Sequence, residues 1–222
     1  EVGWRYRRNN LVLNLNYYLM NYKNQLVPTG ELNDVGAIVR TNVDDSYRTG
    51  VELEGSIRLG SRISWNANLT LSRNKIRNFN EVIYDYGTNF DEYNEIVTAY
   101  TNSEISFSPN VIVGSGFFYV PIKNVEVGLL TKYVGKQYLD NTSNTNRSID
   151  SYFTNDLRLT YSVKPSFMRE LSLSFLANNV FNTLYSSNGY TYGYLGGATE
   201  YRQNFYYPQA GRNYLLMLAL RF

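Results

Sequence analysis

The sequence predicts an all-β chain, an antiparallel up-and-down meander of about nine strands belonging to a transmembrane β-barrel. Three observations predict it. The last eleven residues, Arg212 to Phe222, alternate apolar with other side chains up to a terminal aromatic, which puts Tyr214, Leu216, Leu218, Leu220 and Phe222 on one face. A period of two that persists to the final residue, with no polar tail, needs a sheet to hold it. The same alternation recurs upstream, with amides and carboxylates opposite the aliphatics. Finally, the connectors alternate between short and long, as periplasmic turns and outer loops do in outer-membrane barrels. Alternation alone also fits a half-buried soluble strand. The connectors decide, because a soluble sandwich would mix its connector lengths through Greek-key crossings.

Taken in order, residues 1–8 read as the tail of a first strand, closed by a tight turn at Arg8, Asn9 and Asn10. Residues 11–24 place Leu11, Leu13, Leu15, Tyr17 and Leu19 on one face and Asn14, Asn16 and Tyr18 on the other. A long loop is expected over 25–46. The next strand, 48–59, sets Val51, Leu53 and Ile57 against Glu52, Glu54, Ser56 and Arg58, and carboxylates do not face lipid. After the turn at Gly60 and Ser61, residues 62–73 set Ile63, Trp65, Ala67, Leu69 and Leu71 against Ser64, Asn66, Asn68, Thr70 and Ser72. A second long loop covers 78–107, and a strand follows at 110–120. Pro121 to Asn124 make a short turn into the strand 124–137, and 139–150 is the third long loop. Strands 151–163 and 170–184 flank the short turn Lys164 to Arg169; the last long loop, 185–210, leads to the terminal strand 211–222. If that strand ends in the periplasm, every short turn falls on the periplasmic side. Nine strands leave two open edges, whereas bacterial single-chain barrels close with an even number. The chain, 1–222, is therefore expected to be the C-terminal part of one larger barrel domain, with further strands upstream of Glu1.

Composition removes several alternatives. Apolar residues make up 43% and aromatics 16%, with 22 Tyr and 11 Phe, yet no run approaches the roughly 18 apolar residues of a spanning helix. A barrel hides its hydrophobicity by alternating it with polar lumen residues, and abundant tyrosine suits the girdles at its two interfaces. A net charge of +2 gives no basic stripe for nucleic acid. Without cysteine or histidine the chain offers no thiol chemistry, no disulfide and no common general base. A barrel-borne serine hydrolase would want that histidine. No enzyme activity, metal or cofactor is expected.

Three ordered stretches carry a family resemblance. They are Tyr47 to Gly55 with the following strand Ser64 to Arg73; Leu171 to Tyr185, with its core of Asn178, Asn179, Val180, Phe181 and Asn182; and Phe205 to Tyr214 running into the terminal strand. Together they resemble the C-terminal half of TonB-dependent outer-membrane receptors, particularly those of Bacteroidetes-type bacteria. The resemblance implies a 22-stranded parent barrel in the bacterial outer membrane and an N-terminal plug, which this chain lacks. By the same resemblance the parent imports a scarce ligand such as a ferric siderophore, cobalamin or an oligomer. The energy comes from the inner-membrane proton gradient through the TonB coupling protein, which engages the plug. The implied partners are outer-membrane lipid, the remaining barrel and plug, TonB and a surface lipoprotein. The competing reading is a passive porin or a structural subunit of a surface assembly; an upstream plug separates the two.

Candidate sites lie in the loops. Tyr190, Tyr192, Tyr194, Tyr201 and Arg202, interleaved with glycines, offer a ligand or partner surface, because tyrosines give area plus a hydrogen bond at low entropic cost. The competing reading is a Tyr-rich strand extension above the membrane. Glu81, Asp85, Asp91, Glu92, Glu95 and Glu104 lack calcium-loop spacing and read as solvated loop charge. Glu52, Glu54 and Arg58 read as solvated lumen residues, with plug contact as the alternative. The acceptor patterns at Asn68 and Asn146 are discounted, one being mid-strand in a bacterial-type barrel. Tyr214, Leu216, Leu218, Leu220 and Phe222 form the expected barrel-assembly signal.

Overall fold

The computed structural model describes every residue except Ala198. Among the described residues there is no helix, and fourteen strands are present. They are β1 (Val2–Arg8), β2 (Leu11–Leu32), β3 (Ile38–Leu59), β4 (Ile63–Asp85), β5 (Asn94–Glu104), β6 (Val111–Tyr119), β7 (Val125–Val134), β8 (Gln137–Tyr138), β9 (Ser148–Ile149), β10 (Tyr152–Val163), β11 (Glu170–Asn178), β12 (Ser186–Gly196), β13 (Thr199–Pro208) and β14 (Asn213–Arg221). The main sheet follows β1-β2-β3-β4-β6-β7-β10-β11-β14, each strand antiparallel to the next. These are the nine strands of the expected meander. The remaining five stand off this path: β5 pairs β4, β12 pairs β13 and, by one bridge, β4, and β8 pairs β9.

Register makes the two faces chemically uniform across the sheet. One cross-strand row reads Leu15, Leu53, Leu69, Val113, Tyr133 and Phe153. The row beside it, on the opposite face, reads Arg5, Asn14, Glu54, Asn68, Gly114, Lys132 and Thr154. Arg5 Nε donates to Asn14 Oδ1 at 2.9 Å, and Asn14 Nδ2 to Glu54 Oε2 at 3.4 Å, so the polar row hydrogen-bonds along itself. The apolar row has no such partners. Leu15 and Leu53 keep 42% of their surface exposed and Leu218 61%, which is costly in water and favourable in hydrocarbon. This is the lipid face of a transmembrane barrel segment, and the polar face is its lumen side. Among the described residues β1 and β14 each pair on one side only, so the segment has two free edges.

The structure corrects several boundaries. Most of the expected loop 25–46 is strand, because β2 continues to Leu32 and β3 begins at Ile38. The Asn and Gly residues read as loop make only its tip: the Asn33 carboxamide oxygen accepts from Val35 N at 3.1 Å and Ala37 N at 2.8 Å, an Asx turn that closes the hairpin. Similarly, much of 78–107 is the β4–β5 hairpin, and 185–210 is largely the β12–β13 hairpin. In the opposite sense, the expected strand 170–184 stops at Asn178. Asn179 and Asn182 adopt left-handed backbone with φ of 50° and 54°, and Asn179 N donates to Asp156 Oδ1 at 2.7 Å, so the Asn-rich stretch is a turn.

Beyond the membrane-crossing rows, the buried face of the ribbons switches parity. Ser46 and Val43 are both buried although an odd number of residues apart, as are Ile76 and Phe79. At each switch the ladder skips a pair, Asn24 with Asp44 and Arg77 with Asn102. Asn24 and Asn102 are left-handed there, with φ of 53° and 52°, a conformation asparagine tolerates better than most residues. The re-aimed faces close a second, small core of Val27, Val43, Ile76, Phe79 and Ile105 outside the bilayer. The segment around Leu139 lies against β2, where Asn141 Nδ2 donates to Pro28 O at 2.7 Å. Gly30, at φ 99°, lies against the Leu139 carbonyl, where a Cβ would sit 2.5 Å from that oxygen.

Candidate functional site

The outer ends of two hairpins meet in an aromatic cluster. Tyr194 pairs with Tyr201 across the β12–β13 ladder and stacks on it at 5.2 Å between centroids. From the β4–β5 tip, Tyr86 and Phe90 meet Tyr194 edge-on at 5.8 and 6.2 Å, and Phe90 also meets Tyr201 at 6.4 Å. Tyr84 stacks on Tyr93 at 4.8 Å, Tyr93 reaches Tyr86, and Tyr192 reaches Tyr194. Edge-to-face and offset contacts in this distance range are the attractive ones. The backbone supports the meeting with one parallel bridge, in which Tyr86 N donates to Leu195 O at 2.9 Å. Phe90, Tyr93, Tyr192 and Tyr201 remain exposed, between 45% and 65%, so the cluster presents an open aromatic surface.

Beneath it lies a charge network. Arg147, 5% exposed, donates to Glu81 Oε1 at 2.5 Å and Asp140 Oδ2 at 2.9 Å, and approaches Glu200 Oε1 at 3.3 Å. Arg202 donates to Glu200 Oε1 at 2.6 Å and Glu81 Oε1 at 3.0 Å. The acceptors are further satisfied: Tyr100 OH donates to Glu81 Oε2, and Thr142 donates through both N and Oγ1 to Asp140 Oδ1. Gly193 sits opposite Arg202 in the ladder, and a Cβ there would fall 2.6 Å from the guanidinium carbon. Glycine at this position is what lets the arginine lie flat across β12.

The same contacts set the titration of the site. Burial works against the charge on Arg147, but the hydrogen bonds and charges of Asp140 and Glu81 outweigh it and raise its pKa. The hydrogen bond from Arg202 lowers the Glu200 pKa, and burial opposes it in part. Glu31, near the end of β2, goes the other way. Its burial raises the pKa, Arg202 opposes this, and the like charges of Glu81 and Asp140 add to the rise. A cavity of about 160 Å³ opens beside the network, lined by Thr29, Glu31, Thr41, Thr142 and Thr191 among others.

The predicted site residues therefore divide. Tyr192, Tyr194 and Tyr201 come together in the cluster. Tyr190 is set apart, stacked on Phe205 at 4.6 Å. Arg202 is held by two carboxylates. The reading of the acidic loop as solvated charge is corrected at Glu81, whose side chain is 12% exposed, and at Glu104, paired with Lys75 at 2.5 Å. Both correspond to strand positions on β4 and β5, which point alternately inward. Asp85 accepts from Gly87 N in a turn, and Asp91, Glu92 and Glu95 are exposed. Arg147, Asp140, Glu31, Tyr84, Tyr86, Phe90 and Tyr93 escaped the sequence reading. The one available signal was that Arg147 is the sole basic residue between Leu139 and Asp150. On β14, Tyr214, Leu216, Leu218 and Leu220 lie on one face opposite Ala177, Phe175, Leu173 and Leu171, and Phe222 follows, 78% exposed.

Residues 1–182 match the family described as TonB-dependent receptor-like β-barrel. Among solved structures, the chain is similar to the siderophore receptor PiuA from Acinetobacter baumannii, with TM-score 0.68 and 17% identity, covering 99% of this chain and 27% of that one. It is also similar to the ferric-catecholate import receptor Fiu from E. coli K12, with TM-score 0.62, 18% identity and 99% and 26% coverage. The copper transporter OprC gives TM-score 0.66, 17% identity and 99% and 31% coverage. The chain thus spans roughly a quarter to a third of the length of these structures. No curated protein matches it in sequence.

Proposed function

Since the chain belongs to the TonB-dependent receptor-like β-barrel family of the bacterial outer membrane, we propose that it supplies barrel wall and outer loops to a receptor that imports a metal chelate. Transport is driven through TonB and involves no covalent chemistry on this segment. The free edges of β1 and β14 are closed by further strands of the same barrel, because an unpaired edge in hydrocarbon leaves backbone donors and acceptors unsatisfied.

The observation that carries the ligand reading is the open aromatic surface of Phe90, Tyr93, Tyr192 and Tyr201 at the outer ends of two hairpins. Rigid rings with phenolic tips suit a chelate that itself carries aromatic or other flat groups around a metal. Uptake and binding by the intact receptor test it. Replacing Tyr192 and Tyr201 together by alanine should weaken binding by about 1 to 3 kcal/mol if one of them anchors the ligand, with barrel assembly unchanged. Collapsing the proton gradient should stop uptake while binding persists. Uptake that continues without the gradient would identify a passive channel instead.

A further inference from the structure

We propose that Arg147 and Glu31 form a charge latch that positions the β12–β13 hairpin, and with it the aromatic cluster, against the β4–β5 hairpin, and that the latch loosens when Glu31 ionises. Its consequence for binding rests on the ligand reading above; the latch itself rests on geometry.

The β12–β13 hairpin stands off the nine-strand path, and among the described residues its backbone holds the β4–β5 hairpin through a single bridge at Leu195 and Asp85. Two further ties, Asn204 Nδ2 to Asn146 O and Tyr206 OH to Ser148 O, reach only the segment before β10. What joins all three parts is charge. Arg147 from that segment contacts Glu81 on β4, Asp140 on its own segment and Glu200 on β13, and Arg202 on β13 contacts Glu81 again. Removing Arg147 would leave buried carboxylates facing one another, the costly case for an ion network.

The network is short of cations. Four carboxylates, Glu31, Glu81, Asp140 and Glu200, stand around two guanidiniums, so full ionisation leaves a formal charge of −2. Glu31 is the odd member, because among the described residues its carboxylate has neither an ion-pair nor a hydrogen-bond partner. Its side chain lines one cavity of about 160 Å³ together with Glu81 from β4, Asp140 from the segment after β8 and Arg202 from β13, and Tyr192 from β12 also senses its charge. A proton on Glu31 lowers the excess to one. Its loss places a second uncompensated charge against Glu81 and Asp140, the two carboxylates that Arg147 holds, in surroundings that screen poorly. Repulsion then acts directly on the joint between the hairpins.

Spin labels at the two hairpins read the joint. The chain has no cysteine of its own, so Asn89→Cys and Gln203→Cys, both at exposed positions, can be introduced in the intact protein in lipid nanodiscs and their separation measured by pulsed electron resonance. With Glu31 present, one narrow distance is expected at mildly acidic pH, and a second, longer population should grow at mildly alkaline pH, the direction a raised carboxyl pKa sets. Glu31→Gln should keep the single narrow distance at both pH values. Arg147→Met should show the longer population at both, and Arg147→Lys an intermediate amount, since an ammonium cannot bridge three carboxylates as a guanidinium does. A distribution that ignores pH and the loss of Arg147 would overturn the latch. A pH response retained in Glu31→Gln would overturn the role of Glu31. If Arg147→Met fails to assemble, the lysine and glutamine variants carry the test. Replacing Tyr93, whose exposed ring meets Tyr84 and Tyr86 of its own hairpin, by alanine should weaken ligand binding while leaving the distances unchanged, which separates a failed latch from a failed ligand reading.

Discussion

Glu200 and Glu31 stand within one network and respond to pH with opposite signs. The pKa of Glu200 is lowered by its hydrogen bond from Arg202, so it contributes stability that is present above the ordinary carboxylate value of 4.5 and is lost as pH falls through its folded pKa. The raised pKa of Glu31 contributes stability that is present below 4.5 and is lost as pH rises through its folded value. The outer layer should therefore be most resistant in mild acid. Glu200→Gln is expected to weaken the β12–β13 hairpin at neutral pH and to flatten its acid limb while leaving the alkaline limb in place. Limited proteolysis of the hairpin across pH checks this, and an unchanged acid limb would count against the assignment. The same pair explains why sequence missed them. Neither residue sits in a motif, and a carboxylate beside a tyrosine, like Glu200, or between a glycine and a leucine, like Glu31, looks the same whether it is solvated or paired.

At the scale of the element, two left-handed asparagines separate what crosses the membrane from what stands above it. Asn24 on β2 and Asn102 on β5 let the ribbons change which side they bury, and the small outer core depends on that change. A β-branched residue at Asn24 would have to hold φ near 53° against its own side chain. Asn24→Val should cost about 1 to 2 kcal/mol and loosen the β2–β3 tip, while Asn24→Gly should be nearly neutral because glycine adopts this region freely. Hydrogen exchange at residues 25–43 distinguishes them. The break at Asn24 is legible in the sequence, but it has the form of a strand end, whereas β2 continues to Leu32. A polar, turn-prone residue with ordered alternation resuming out of phase is hard to tell from a loop when only one strand is in view.

For the whole molecule, the decisive property is that one face is apolar across every strand of the path and the other polar. Leu53→Arg, on the lipid face and near the middle of the membrane-crossing part of β3, should cost about 2 to 4 kcal/mol in folding into liposomes. Glu52→Arg, one residue away on the lumen face, should insert almost as well as the parent. Equal penalties at both positions would reverse the facing assignment. The free edges of β1 and β14 place the same requirement on the barrel as a whole, since neither edge can stay open to lipid.

The sequence by itself determined the nine-strand path, the facing of its side chains and the alternation of tight turns with long excursions. Those follow from a period of two and from the lipid, which acts on each strand separately and so leaves its mark locally. Tertiary structure alone decided what the excursions do. That Arg202 meets Glu81, 121 positions away, that Tyr86 and Phe90 meet Tyr194, and that Arg147 ties three segments together depend on where hairpins of different length come to rest. Outside the bilayer no single solvent imposes a pattern, and pairing between distant charges and rings is fixed only once the chain has folded.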